Sequence, residues 1–152
     1  MKISNLPMLV NQKMKQFIFL FICILLNPSQ DAFAAQKVYT FDCETTAYKP
    51  TMLFEACGDG NSGWDKIKWT KWNASGAEGI GERFWNDCDP YCAKGKFHSF
   101  RVKILLSKPM NLKGKIYLSK IKWAALSGEK VPSDKAKSGT WDLYEFYKMM
   151  KS

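Results

Sequence analysis

Residues 86–95 (NDCDPYCAKG) place Cys88 and Cys92 four apart, flanked by Asp87 and Asp89 and followed closely by His98, the only histidine in the chain. Three chemistries use such parts. Zinc would take Cys88, Cys92 and His98, with Asp87 or Asp89 as a fourth ligand. Structural zinc, however, draws on two separated ligand pairs, and the second pair is missing. A thiol redox centre needs C-x-x-C beside a βαβ unit; here the cysteines are one residue too far apart and lie among strand-like segments. A disulfide closing the turn at Asp89-Pro90 needs nothing further. The spacing therefore predicts a stapled loop, with no metal and no cofactor.

Other chemistry-bearing groups are sparse. Residues 59–65 (DGNSGWD) begin like a calcium loop, with Asp59 and Asn61 at the first and third positions. Gly63, Trp64 and Thr70 then fail the fifth, sixth and twelfth, so an EF-hand is excluded and a polar hairpin loop is expected. His98 lacks any G-x-S-x-G nucleophile elbow in the chain and reads as a half-exposed strand residue. Glu78 and Glu82 lie four apart on one strand face, and paired carboxylates hydrolyse glycosides when held ~5–10 Å apart. Solvated carboxylates balancing nearby lysines are the plainer expectation.

The strongest functional signal is a set of cations opposite the apolar positions of the strand-like segments. Lys66 and Lys68, Arg101 and Lys103, Lys113 and Lys115, and Lys120 and Lys122 fall in this way. Trp64 and Trp72 are expected on the face of the first pair, and Tyr117 on the outer face of a later strand. A basic sheet with interleaved aromatics can hold sugar rings by stacking and anionic groups by charge. Lysines on edge strands also serve simply to block sheet-to-sheet association.

The chain ends set the context for these parts. Lys13 and Lys15 precede an apolar run at 17–26 (FIFLFICILL). Asn27-Pro28 and the small-x-small pattern Ala32-Phe33-Ala34 follow, which together predict a secretory signal peptide over 1–34. The run is too short for a membrane span, which needs ~20 residues. The chain of 152 residues carries a formal net charge of +9, which favours acidic partners such as anionic glycans, wall polymers, lipid headgroups or nucleic acid. Of five cysteines, Cys23 lies in the signal. Cys43, Cys57, Cys88 and Cys92 remain, an even set that predicts two disulfides in an oxidising compartment. Three pairings are open. A local Cys88–Cys92 bridge would leave Cys43 and Cys57 to join the first two strands.

Strand signals recur along the body of the chain: 38–43, 51–57, 65–72 with Ile67 and Trp69 inward, 76–85 and 100–106 with Phe100, Val102, Ile104 and Leu106 inward. Pro109 is expected to end the last of these. A further strand spans 112–123, with a bulge near Ser119-Lys120 where the apolar phase changes. Gly76, Gly79 and Gly81 predict a bulge, a bend or close approach of another backbone. The pattern points to an all-β domain, a small antiparallel β-sandwich or barrel of about six strands stabilised by disulfides. Its expected limits are 35–126, then a polar linker over 127–139 and a short C-terminal helix or tail over 140–152. Thr140 is the expected N-cap, and Leu143, Tyr144, Tyr147 and Met150 share a face.

In order along the chain, ACGDGN (56–61), IKWTKW (67–72), A-x-G-x-G (77–81), NDCDPYCAKGKFHSF (86–100) and VKILLSKP (102–109) resemble an uncharacterised family of small secreted proteins common in actinobacteria. The most specific part is C-x-P-x-C-A-x-G from Cys88. The resemblance covers about 43–123 and implies compartment and domain extent; it supplies no catalytic residues. The resulting expectation is a secreted, non-catalytic binding protein for an anionic cell-surface polymer or glycan, with Lys66, Lys68, Trp72, Arg101 and Lys103 as contacts. Nucleic acid is the less favoured ligand. The alternatives are a small secreted hydrolase using Glu78 and Glu82, and an effector or inhibitor that presents the Cys88–Cys92 loop to a partner protein.

Overall fold

The computed structural model describes residues 36–55 and 57–152; the expected signal peptide lies outside the described residues. Eight strands form one curled sheet, a half-barrel: β1 (Val38–Asp42), β2 (Thr45–Ala47), β3 (Leu53–Phe54), β4 (Ser62–Asn73), β5 (Gly76–Asn86), β6 (Phe97–Leu112), β7 (Lys115–Ala125) and β8 (Ser138–Asp142). A helix, α1 (Leu143–Lys151), ends the chain. The strand order is β2-β1-β7-β6-β5-β4-β3, with β8 added to β7. The all-β expectation holds. The sheet is antiparallel except where β1 runs parallel to β7, Val38 opposite Ile116 and Thr40 opposite Leu118.

The inner face holds the core: Val102, Ile104, Leu106, Leu118 and Ile121 are fully or almost fully buried, with Trp64, Ile67 and Trp123 beside them. Gly79 and Gly81 of β5 are there to let neighbours close in. A Cβ on Gly81 would lie 2.8 Å from Asp65 O and 3.1 Å from Ile67 Cγ1, and one on Gly79 would lie 2.9 Å from Trp69 Cε3.

Two features of β4 overturn the expected facing of its tryptophans. The register slips between Asp65 and Lys68, and Lys66 takes φ 52. An extra residue on one strand reverses which side chains point inward. Trp64 before the slip therefore points into the core with no exposed surface, and Ile67 and Trp69 after it point inward as well. Trp64 is thus core, not a companion of Lys66 and Lys68. Trp69 is only partly buried and donates from Nε1 to Pro50 O at 2.7 Å. A second slip between Trp69 and Lys71 turns Trp72 inward too.

Trp72 then closes the sheet. Its Nε1 donates to Val38 O at 2.9 Å, so the end of β4 reaches β1 at the far side of the strand order. Cys43, just after β1, is bonded to Cys57, just after β3, with Cα atoms 5.6 Å apart. Phe54 N of β3 donates to Asp42 Oδ1 of β1 at 3.1 Å. The seam of the half-barrel is therefore tied by side chains and a disulfide, not by a ladder of backbone hydrogen bonds.

Pro109 does not end β6. Lys108 takes φ 53, its carbonyl accepts from Ser119 Oγ at 3.0 Å, and the strand continues to Leu112. A proline without N–H is tolerated where the ladder is already broken. The register is the same on both sides, Ser107 opposite Lys120 and Pro109 opposite Leu118. The phase change expected as a bulge at Ser119-Lys120 is thus a break that both strands make together. Lys113 and Gly114, both at positive φ, then form the two-residue hairpin turn that suits such a connection.

The C-terminal segment belongs to the same compact unit, Gln36–Ser152. β1 pairs with β7 only over 116–118, which leaves the edge at 120–124 open, and β8 covers it. A bare edge of backbone donors and acceptors recruits such a strand. Thr140 therefore pairs with Lys122 inside β8, and the N-cap is Asp142, whose Oδ1 accepts from Glu145 N at 3.1 Å. Leu143 is buried, and Tyr144 and Tyr147 pack against the core cluster.

Candidate functional site

The loop between β5 and β6 carries the Cys88–Cys92 disulfide, so neither sulfur remains a thiolate. The loop is cross-braced from both strands. Asn86 Nδ2 donates to Cys92 O at 2.8 Å and to Asn61 Oδ1 at 3.0 Å, while its Oδ1 accepts from Cys88 N at 2.9 Å. Asp87 accepts from Lys96 N at 2.8 Å, from Asp89 N and from His98 Nε2 at 2.9 Å. These bonds, that to His98 first, hold its carboxyl down to about 2. Among the described residues no three His, Cys, Asp or Glu side chains converge as metal ligands. Tyr91, at the loop tip, is half exposed.

His98 and Asp87 with the adjoining Ser99 have the composition of a hydrolytic triad but not its geometry. Successive side chains of a strand point to opposite faces. His98 stacks on Trp85, ring centroids 5.4 Å apart, whereas Ser99 Oγ donates to Glu82 Oε2 at 2.8 Å. The imidazole and the Ser99 hydroxyl thus bond to different carboxylates, Asp87 and Glu82, and not to each other.

Glu78 and Glu82, the candidate carboxylate pair, lie on the outer face of β5, each held by a cation. Lys66 Nζ lies 3.0 Å from Glu82 Oε2, and Lys103 Nζ lies 3.3 Å from Glu78 Oε2. Four residues along a strand separate their backbones by ~13 Å, beyond the carboxyl spacing that glycoside hydrolysis uses. The hydrogen bond from Ser99, then that from Lys66, lowers the Glu82 carboxyl below its ordinary range. It stays ionised, where a general acid needs the opposite shift. The geometry thus joins two of the candidate binding cations, Lys66 and Lys103, to the candidate catalytic carboxylates as exposed ion pairs.

The outer face nevertheless retains an excess of positive charge. One rung across the sheet reads Lys71, Glu78, Leu105, Lys122, Thr140; another reads Lys68, Ile80, Lys103, Ala124, Ser138. Arg101 stands opposite Glu82, and Ile80 is exposed among the lysines. Lys66, Lys68, Arg101 and Lys103 are brought together on this face. Trp72, the fifth expected contact, is not with them; it lies in the seam. Beside the face, a cleft of about 420 Å³ is lined by the apolar Met52, Phe54, Phe84 and Phe97 and by Lys66, Glu82 and Ser99.

Two arrangements were not anticipated from the sequence. Arg83 is two-sidedly packed, its guanidinium 5.1 Å from the Trp64 ring centre and 5.6 Å from that of Trp123. It donates to Gly63 O and Phe84 O and pairs with Glu55. Burial lowers its pKa and Glu55 opposes that fall. The other is a cleft of about 600 Å³ where α1 crosses the β6–β7 hairpin, lined by tyrosines and lysines. The repeat Tyr144–Lys148 and Tyr147–Lys151, four apart on a helix, was its visible signal.

No family model matches the chain, and comparison with the curated proteins and with the solved structures finds none that matches.

Proposed function

We propose that this is a secreted, non-catalytic binding protein that takes anionic envelope polymers or glycans on the outer face of β4, β5, β6 and β7. The observation that carries this reading is the two lysine-bearing rungs, which at a strand spacing of ~4.8 Å set Lys68 and Lys103 two strands apart (~10 Å) and Lys71 and Lys122 three strands apart (~14 Å). A repeating polyanion matches such an array without needing a pocket. Secretion accords with the two disulfides and with the expected signal peptide. No helix among the described residues is long and apolar enough to cross a membrane.

Binding by this face is chiefly electrostatic, because Trp72 is turned away from it. Retention on an immobilised anionic polysaccharide should collapse between 0.1 and 1 M salt, as the Debye length falls from ~10 to ~3 Å. The variant Lys68→Glu, Arg101→Glu, Lys122→Glu should lose retention at low salt while melting normally. Retention that survives both would overturn the reading. A second reading, a rigid loop offered to a partner protein, is favoured by Tyr91 at the tip of the braced Cys88–Cys92 loop; Tyr91→Ala would abolish that contact and leave polymer retention intact.

A further inference from the structure

The cleft between α1 and the β6–β7 hairpin has a composition that the outer face lacks. Four lysines line it: Lys113 and Lys115 from the hairpin, Lys148 and Lys151 from the helix. No Asp or Glu side chain is among its described lining residues, which include Ser152. Glu145, which pairs with Lys148 at 2.9 Å, is not part of the lining. Four ammonium groups about a concave site repel one another, an arrangement that a bound anion relieves.

The aromatic floor narrows the ligand class. Phe41 is already stacked on Tyr117, ring centroids 4.9 Å apart at 17°. Lys148 Nζ stands over the Tyr144 ring at 5.0 Å and Lys151 Nζ over the Tyr147 ring at 5.8 Å. These ring faces are therefore occupied by a neighbour or by a cation. A nucleobase needs a bare ring face to stack upon, and these rings give up that role. What remains for a ligand is tyrosine hydroxyls, which both donate and accept, and ammonium groups, which act as point charges without the planar fork of arginine. That set suits many hydroxyls and several acidic groups in no fixed orientation. The volume of about 600 Å³ falls within the range of small-ligand sites.

We infer that this cleft binds a short acidic oligosaccharide, its acidic groups on Lys113, Lys115, Lys148 and Lys151 and its hydroxyls on Tyr117, Tyr144 and Tyr147. The site uses none of the outer-face cations Lys66, Lys68, Lys71, Arg101, Lys103 and Lys122, so the inference goes beyond the polymer-binding reading and either can fail alone.

The test is calorimetric titration of the full secreted protein with three probes: a sulfated glucose tetrasaccharide, the unsulfated tetrasaccharide, and a single-stranded oligonucleotide of comparable charge. The sulfated probe should bind and the other two should be weaker by at least about tenfold. Lys148→Glu with Lys151→Glu, and separately Lys113→Glu with Lys115→Glu, should each weaken the sulfated probe by about tenfold or more. The second pair keeps the test decisive if the helix variant melts early. Tyr147→Phe, which removes only a hydroxyl, should weaken it a few-fold. The outer-face triple variant should bind it like the parent. Equal binding of the oligonucleotide or of the unsulfated sugar would overturn the assignment, as would unchanged affinity in both lysine pairs. Loss confined to the outer-face variant would overturn the cleft and leave polymer binding standing.

Discussion

The outer sheet face and the α1 cleft both gather lysines, yet they present different electrostatics. On the face, cross-strand register sets carboxylates beside lysines: Glu78 meets Lys103 and Glu82 meets Lys66. Each exposed pair is worth little to stability, but it spends part of the positive potential. In the cleft the lysines come from a hairpin turn and a helix, elements with no register between them, and among the described residues only Lys148 has an Asp or Glu partner, Glu145. A count of lysines cannot tell these apart. Which residues lie across from them decides how much charge a ligand meets.

The largest expected effect concerns the tryptophan that the sequence pattern would give to the face. Trp72→Ala removes a ring from the seam and the hydrogen bond to Val38 O, and should cost ~2–5 kcal/mol in chemical unfolding. Polymer retention per folded molecule should not change. A stable variant that had lost retention would return Trp72 to the binding face and undo the contrast.

Next comes charge. At low salt, the Lys68, Arg101 and Lys122 reversal should abolish retention on a polyanion column while leaving the cleft's affinity for a sulfated tetrasaccharide intact. Cross-inhibition between polymer and tetrasaccharide on the parent protein would argue that the two surfaces act as one.

A smaller change sharpens the role of the carboxylates. Glu78→Gln with Glu82→Gln frees Lys103 and Lys66, so polymer affinity should rise a few-fold. Stability should shift by less than ~1 kcal/mol, as for exposed ion pairs. Weakened binding would mean that the carboxylates touch the ligand. A glycosidase activity in the parent that vanished in this variant would restore the hydrolase reading.

The smallest effect is a pH response that runs in opposite directions in the loop and in the seam. Asp87 is held at about 2, below its ordinary 3.8, so its stabilisation is present above pH 4 and is lost as pH falls toward 2. Amide exchange at Asp89 and Lys96 should quicken over that window. Burial instead raises the Asp42 carboxyl, against the opposing hydrogen bond from Phe54 N. Its favourable contribution is present at low pH and is lost as pH rises through the raised value. Asp42→Asn, which keeps an acceptor for Phe54 N, should therefore be neutral or stabilising at pH 7. Loss of stability at pH 7 would show that the charge itself ties the seam.

Local patterns in the chain were enough for much of the architecture. Alternation in 100–106 places Val102, Ile104 and Leu106 in the core, glycines at 79 and 81 mark a close approach, and an even cysteine set announces two disulfides. Each follows from spacing between near neighbours. The facing of Trp64 and Trp72 did not, because it depends on two register slips in β4 that reverse the strand's sides, and a slip is selected by how the partner strand packs. Likewise the cations Lys66, Lys68, Arg101 and Lys103 were legible as one face. The pairing of Lys66 with Glu82 and of Lys103 with Glu78 was not, because cross-strand partners lie many residues apart in sequence. The tail shows the same limit: a short helix was readable from its aromatic and lysine spacing, but β8 exists because β1 leaves half of the β7 edge unpaired. Sequence spacing determined which residues share a strand face. Tertiary register and closure of the seam decided which of those faces meet water, and where positive charge is left for a ligand.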